Sequence, residues 1–249
     1  MNKSISILIL VLLFTSLYFS YRTRGYRFEV FDDKFLDTEF TEKIEIIGRP
    51  IVFDAQRKFL TGLYRQKHTG DCDPDTDGTD ACVLIEPKII VVHMTDLDSF
   101  EKSFEYMREP VLREEREKLI SRSYDRVNVS THYLIDKDGS IYSLMPDNYM
   151  GRHSMGVNHS SIGIENVGMN ANPPTREQIE ANVKLIKYLM KKYGIRVSDI
   201  YSHAETALLE KRGAPIFIEK DENYLIQKDC GQKLIKEIRK IIMKDNNER

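Results

Sequence analysis

The chain has 249 residues, 41% of them apolar or aromatic, which is enough to bury one good-sized core and makes a second full domain unexpected. Its 37 Lys and Arg nearly cancel its 39 Asp and Glu, for a formal charge of -2, so no global field draws it toward nucleic acid. No basic stripe interleaved with aromatics does so locally either, and any anionic ligand has to be met by a local arrangement of side chains.

The first element is an uncharged run, Ile5 to Tyr21, that follows Lys3 and is closed by Arg22 and Arg24. An apolar stretch behind a short basic start reads as an export signal. No small-x-small cleavage site follows it, and its length is near the lower limit for spanning a bilayer, so residues 5–21 read equally as a retained membrane anchor. The expected location is therefore the periplasm or cell envelope. Disulfides persist in such a compartment, and Cys72 and Cys82, which bracket a short polar loop, are the expected pair, with Cys230 left over.

Residues 22–85 show no long helical period, only apolar pieces such as Ile44 to Ile47 and Pro50 to Phe53, and read as an extension packed on the main domain. Within it, Asp73, Asp75 and Asp77 alternate before Gly78 as the start of a calcium loop does. Counting from Asp73, however, Leu84 falls where a bidentate Glu belongs, so the reading is a solvated acidic loop and a Ca2+ site is not expected.

The main domain, residues 86–249, opens with the branched apolar run Lys88 to Thr95, which suits a strand buried on both faces and carries His93 near its polar end. Phe100 to Arg122 is helical in composition with a break near Pro110. Thr131 to Asp136 and Ile141 to Met145 alternate on either side of a Gly-bearing turn, a hairpin signal. Ser161 to Val167 reads as a further strand. After Pro173 and Pro174, Thr175 and Gln178 form a capping-box pattern ahead of Ile179, Val183, Ile186, Met190 and Tyr193, and Gly194 ends that helix. Ile200 to His203 completes the strands, and Gln232 to Lys244 reads as a terminal helix. Strands and helices alternate, so the expected class is α/β: a single domain with a central mixed β-sheet flanked by helices.

Six histidines are candidate metal ligands: His68, His93, His132, His153, His159 and His203. No His-Glu-x-x-His and no Cys-x-x-Cys occurs, so a metal site would have to be assembled from distant segments. His93 and His203 share one context, each at the end of a buried strand. His132 reads as a packed residue bonded to backbone, His68 and His159 as exposed. Glu165 stands among Ile162, Ile164 and Val167, where a carboxylate needs a polar reason.

Five pieces in order resemble the zinc-dependent N-acetylmuramoyl-L-alanine amidase family, to which phage amidase lysozymes and peptidoglycan recognition proteins are related. They are Ile90-Val-Val-His-Met-Thr95, Ser130-Thr-His-Tyr-Leu-Ile-Asp-Lys-Asp-Gly-Ser-Ile-Tyr142, His153 to Asn158 with Ser161-Ile-Gly-Ile-Glu165, Ser202-His-Ala-Glu205, and Lys228-Asp-Cys-Gly231. The resemblance implies an amidase-like fold from about Glu86 onward and one Zn2+ held by His93, His203 and a third ligand. Aligning on Gly231 makes that ligand Asp229; aligning on a Lys two residues earlier makes it Cys230, with Lys228 in the supporting position; Asp229 is favoured. Three protein ligands leave a position open for water, as in catalytic sites. The resemblance also implies that Glu165 is the catalytic glutamate, with Lys228 beside the oxyanion, and that His153 and Asn158 belong to the substrate cleft, Asn158 also reading as an orienter of the loop before Ser161.

The implied reaction is hydrolysis of the amide between N-acetylmuramic acid and L-alanine in peptidoglycan, or in soluble muropeptides, by a monomer. Two alternatives stand beside it: a recognition module that binds peptidoglycan without cutting it, and a zinc hydrolase of another peptide or acyl-amino bond. Against the first, every ligand position holds a residue competent to bind zinc.

Overall fold

The computed structural model describes residues 44–113, 126–221 and 232–247. The export or anchor segment at 5–21, and Lys228, Asp229 and Cys230, lie outside them. Among the described residues no helix is long and apolar enough to cross a membrane.

Six strands form one mixed sheet: β1 (Ile47–Gly48), β2 (Ile89–Met94), β3 (Tyr133–Ile135), β4 (Ile141–Ser143), β5 (Ser161–Asn166) and β6 (Ile200–Ser202), in the spatial order β1-β4-β3-β5-β2-β6. Only β3 and β4 pair antiparallel, as the hairpin pattern requires; every other neighbour is parallel. Among the described residues six α-helices accompany them: α1 (Ala55–His68), α2 (Thr79–Val83), α3 (Phe100–Arg108), α4 (Arg176–Tyr193), α5 (His203–Lys211) and α6 (Gln232–Asn247).

The alternation of side chains along a strand divides the sheet into two faces. Ile90 and Val92 of β2, Ile162 and Ile164 of β5, and Tyr133 and Ile135 of β3 point to one face. There they meet Leu185, Ile186 and Leu189 of α4 and Leu234, Ile235 and Ile238 of α6 in one continuous apolar core. On the other face Ile89 and Val91 pack on Leu209 of α5, and Leu134 packs with Phe104 and Met107 of α3. Helix α4 begins and ends as its sequence dictates: Thr175 and Gln178 form the reciprocal capping box, and Gly194 closes the helix at φ 67, a left-handed conformation that suits glycine.

The segment before the main domain corrects the expectation of no long helix. Ile47 and Gly48 join the sheet beside β4, and α1 is a 14-residue helix capped by Asp54, whose Oδ1 accepts from Arg57 N at 2.9 Å. Its buried positions are Arg57, Thr61, Gly62, Tyr64 and His68, so the inward face is largely polar and leaves no apolar period in the sequence. Arg57 is fully buried and donates from Nη2 to the carbonyls of Met107 at 2.8 Å and Arg108 at 3.2 Å and to that of Glu109, closing the C-terminal end of α3. Cys72 and Cys82 form the expected disulfide. In the acidic loop between them, Asp73 accepts from the backbone N of Asp75 at 3.0 Å and Asp77 from that of Asp73 at 2.8 Å, so two of the three carboxylates are engaged in turns.

Candidate active site

Parallel pairing sets His93 of β2 directly opposite Glu165 of β5, and parity puts both on the sheet face away from α4 and α6. His203 follows β6, which flanks β2 on its other side, so the two histidines that end separate strands in the sequence meet, with ring centroids 4.8 Å apart. His153 arrives from the loop before β5. Its ring lies 5.2 Å from that of His93, with His153 Nδ1 3.2 Å from His93 Nε2.

The three histidines are fixed from behind. The Asn166 side chain donates to the His93 carbonyl at 3.1 Å and accepts from Asn182 of α4 at 2.6 Å, a buried polar link from helix to strand. His203 is the first residue of α5, where the Ser202 backbone N donates to Glu205 Oε2 at 2.9 Å. Arg239 of α6 holds Glu205 with two nitrogens, at 2.8 and 2.9 Å, and this fork fixes the start of α5 and with it the position of His203. Gly163 leaves room for His153: a Cβ there would come within 2.8 Å of the imidazole. Both polar atoms of the Asn158 side chain have protein partners. Its Oδ1 accepts from the backbone N of His153 at 3.0 Å and of Ser154 at 2.7 Å, and its Nδ2 donates to the Tyr64 hydroxyl of α1 at 3.0 Å. Asn158 is thus a loop-holding residue, in keeping with its reading as an orienter of the loop before Ser161.

The electrostatics favour neutral imidazoles. Burial, then the proximity of His203 and His153, holds His93 well below the usual histidine range, and burial with His132 and His203 does the same to His153. Neutral imidazole is the form that binds a metal. Glu165 is in the opposite situation: burial pushes its carboxyl up to about 8, and Oε2 is sealed from solvent with no hydrogen-bond partner. An orphan carboxyl oxygen on the strand position paired with His93 fits a metal and a reacting water, since a carboxylate buried only for packing would be satisfied.

His132 is a packed residue, as expected: Gly163 N donates to its Nδ1 at 3.0 Å, and its Nε2 donates to the Tyr149 carbonyl at 2.7 Å. Two other histidines correct the sequence reading. His68 is buried, stacked on Tyr64 at 4.0 Å and bonded to Glu219 at 2.8 Å, a partner 151 positions away that no local pattern could supply. His159 is half-buried, with its Nδ1 sealed from solvent. Sequence reasoning also gave no role to Glu205 and Arg239. The Ser202-x-x-Glu205 spacing at a strand-to-helix junction was a usable capping signal for the first; nothing near Arg239 announces its partner. Among the described residues, the one group of three ligand-type side chains whose atoms converge is Cys72, Asp77 and Cys82, and both of its sulfurs are already joined in the disulfide.

Comparison with known proteins adds independent information. No curated protein matches the chain. Among solved structures, the amidase LysC from Clostridium intestinale URNW is 31% identical over 49% of this chain and 72% of its own, with a TM-score of 0.36. The E. coli amidase AmiD, in complex with an anhydro-N-acetylmuramic acid peptide, is 22% identical over 49% of this chain and 50% of its own, with a TM-score of 0.38. Drosophila peptidoglycan recognition protein SD is 19% identical over 49% and 73%, also at 0.38. The family model described as N-acetylmuramoyl-L-alanine amidase matches residues 84–215, more than half of the chain and the whole stretch that brings His93, His153, Glu165 and His203 together, and on that match the chain belongs to the N-acetylmuramoyl-L-alanine amidase family.

Proposed function

We propose that this protein is a zinc-dependent hydrolase of the amide bond between N-acetylmuramic acid and L-alanine, acting on peptidoglycan or muropeptides at the cell envelope. The observation that carries the reading is the buried, unpartnered Oε2 of Glu165 opposite His93 in the parallel register. His93 and His203 would hold the ion, with Asp229 or Cys230 as third ligand and Lys228 near the oxyanion. Zinc, when bound, supplies a Lewis acid for the scissile carbonyl and an acidified water.

The remaining chemistry falls to the chain itself. Glu165 takes the proton of the attacking water and returns it to the leaving amine of the alanine, a general acid-base contribution of about 100- to 10,000-fold. Asn166 and the Glu205–Arg239 fork fix the backbone from which the two imidazoles project, which holds the ligands and the carboxylate at a constant spacing. The apolar run at 5–21 would carry the protein to its substrate as signal or anchor.

The test is to incubate the zinc-loaded full-length chain with purified peptidoglycan, beside a Glu165→Gln variant and a chelated control, and identify released fragments by mass. Intact stem peptides beginning with L-alanine, absent from both controls, are the expected product. Wall that is bound but never cut, with zinc shown to be present, would mean a recognition module instead, and fragments cut elsewhere would mean another amide as substrate.

A further inference from the structure

We infer that His153 is a positioning residue for the metal site: it accepts a hydrogen bond from His93 Nε2–H and thereby reserves His93 Nδ1 for the ion. This rests on the reading above that His93 holds a metal, and goes beyond it by assigning the ligating nitrogen and the residue that selects it.

The argument is one of proton counting. A neutral imidazole has one N–H and one lone pair, and His93 Nε2 and His153 Nδ1 face each other at 3.2 Å, a hydrogen-bond distance; in such a bond one of them carries the hydrogen. If His153 donated, His93 would use its Nε2 lone pair to accept and would bear its own hydrogen on Nδ1, leaving no lone pair for a metal. If His93 donates, its Nδ1 is bare. His153 then carries its hydrogen on Nε2, where Ser161 Oγ, at 3.4 Å, stands as an acceptor. Of the two hydrogen-bonded arrangements, only the second leaves His93 a lone pair for an ion, and it gives a polar atom to both nitrogens of His153.

The surroundings show that this ring is held in place. The absent side chain of Gly163 makes the space into which it fits, and Asn158 grips the backbone of His153 and Ser154 while bonded to Tyr64 of α1. His153 therefore has no nitrogen left over for substrate in this arrangement. The line of support runs from α1 through Asn158 and His153 to His93, so the segment preceding the family match takes part in orienting the ligand. Partners of this kind, which fix the tautomer and direction of a ligating histidine, affect metal affinity by about 10- to 100-fold when removed.

The test uses the full-length chain and two readouts other than turnover. Long-range proton–nitrogen correlation on the metal-free, histidine-labelled protein reads which nitrogen of His93 carries hydrogen; protonation at Nε2 is expected, and protonation at Nδ1 overturns the inference without any variant. Zinc affinity by chelator competition is then compared among the unmodified protein, His153→Phe, which keeps the ring but cannot accept, and His153→Asn, whose Oδ1 can take the place of Nδ1. The Phe variant should bind zinc about 10- to 100-fold more weakly and the Asn variant should recover much of the loss. If the unmodified protein holds no zinc that His93→Ala abolishes, the metal reading itself fails and this one falls with it. If that zinc is held, and a folded His153→Phe holds it equally well, only the present inference falls.

Discussion

Ile164 and Glu165 are adjacent residues of one strand, and they belong to different problems. Ile164 points into the core between the sheet and helices α4 and α6, where it is fully buried among other branched and aliphatic side chains. Glu165 points to the opposite face, beside His93, with a carboxylate oxygen that nothing satisfies. The same contrast recurs one strand over, between Val92 and His93. A parallel strand in the middle of a sheet thus separates stability from chemistry by parity alone: one face can be packed to the density of a solid while the other keeps polar groups under strain.

The strongest way to break this comparison is at Glu165. Replacing it by Gln should lower the rate of stem-peptide release by about 100- to 10,000-fold while leaving the melting temperature undiminished, because the amide replaces, at nearly the same volume, a carboxyl that burial already holds largely neutral and whose Oε2 has no partner to lose. A thermal melt lowered by several degrees would mean that the carboxylate stabilises the fold and that the two faces are not separable. The neighbouring change, Ile164→Ala, should do the reverse. Loss of the buried side chain costs about 2 to 5 kcal/mol in denaturant unfolding, while the protein that remains folded keeps its zinc and most of its activity.

Gly163→Ala tests the seam between the two regimes. The added methyl would sit 2.8 Å from the His153 ring, so the imidazole or strand β5 must shift. Overpacking of this kind destabilises by about 1 to 3 kcal/mol, and zinc affinity should fall with it, as it should not for Ile164→Ala. The mildest effect is expected at Thr175→Ala, which removes the capping box of α4 for about 1 kcal/mol in the same unfolding measurement, with no change in affinity or rate. A loss of activity there would show that the helix behind the sheet reaches the site more directly than the Asn182–Asn166 link suggests.

What could be read from the sequence was what nearby residues encode. The helix from Arg176 to Tyr193 carries its own start, period and stop, and the two strands of the hairpin carry their alternation and turn. His93 and His203 could be singled out because each ends an apolar strand, and Glu165 because its neighbours are aliphatic. Helix α1 escaped because burial there is achieved by Arg57, Thr61, Tyr64 and His68, polar groups whose partners lie far along the chain. A hydrophobic period registers apolar burial only. His153 could be placed near the cleft by resemblance, but its bond to a residue 60 positions away is a property of the packed sheet. Asn158 could be placed near the cleft only by resemblance; that its side chain ties the 153–158 loop to Tyr64, 94 positions away, is again a property of the packed molecule.

The pairing at β1 bears on how molecules of this protein meet one another. Arg49 N and Ile51 N both donate inward, to the Ser143 and Leu144 carbonyls at 2.9 and 3.0 Å, so the residue between them faces the open side of the sheet. That residue is Pro50, which has no amide hydrogen to offer. Among the described residues no strand lies beyond this margin, and a strand approaching it finds a donor missing where a ladder bond would form, so the covalent chemistry of one residue disfavours edge-to-edge pairing there.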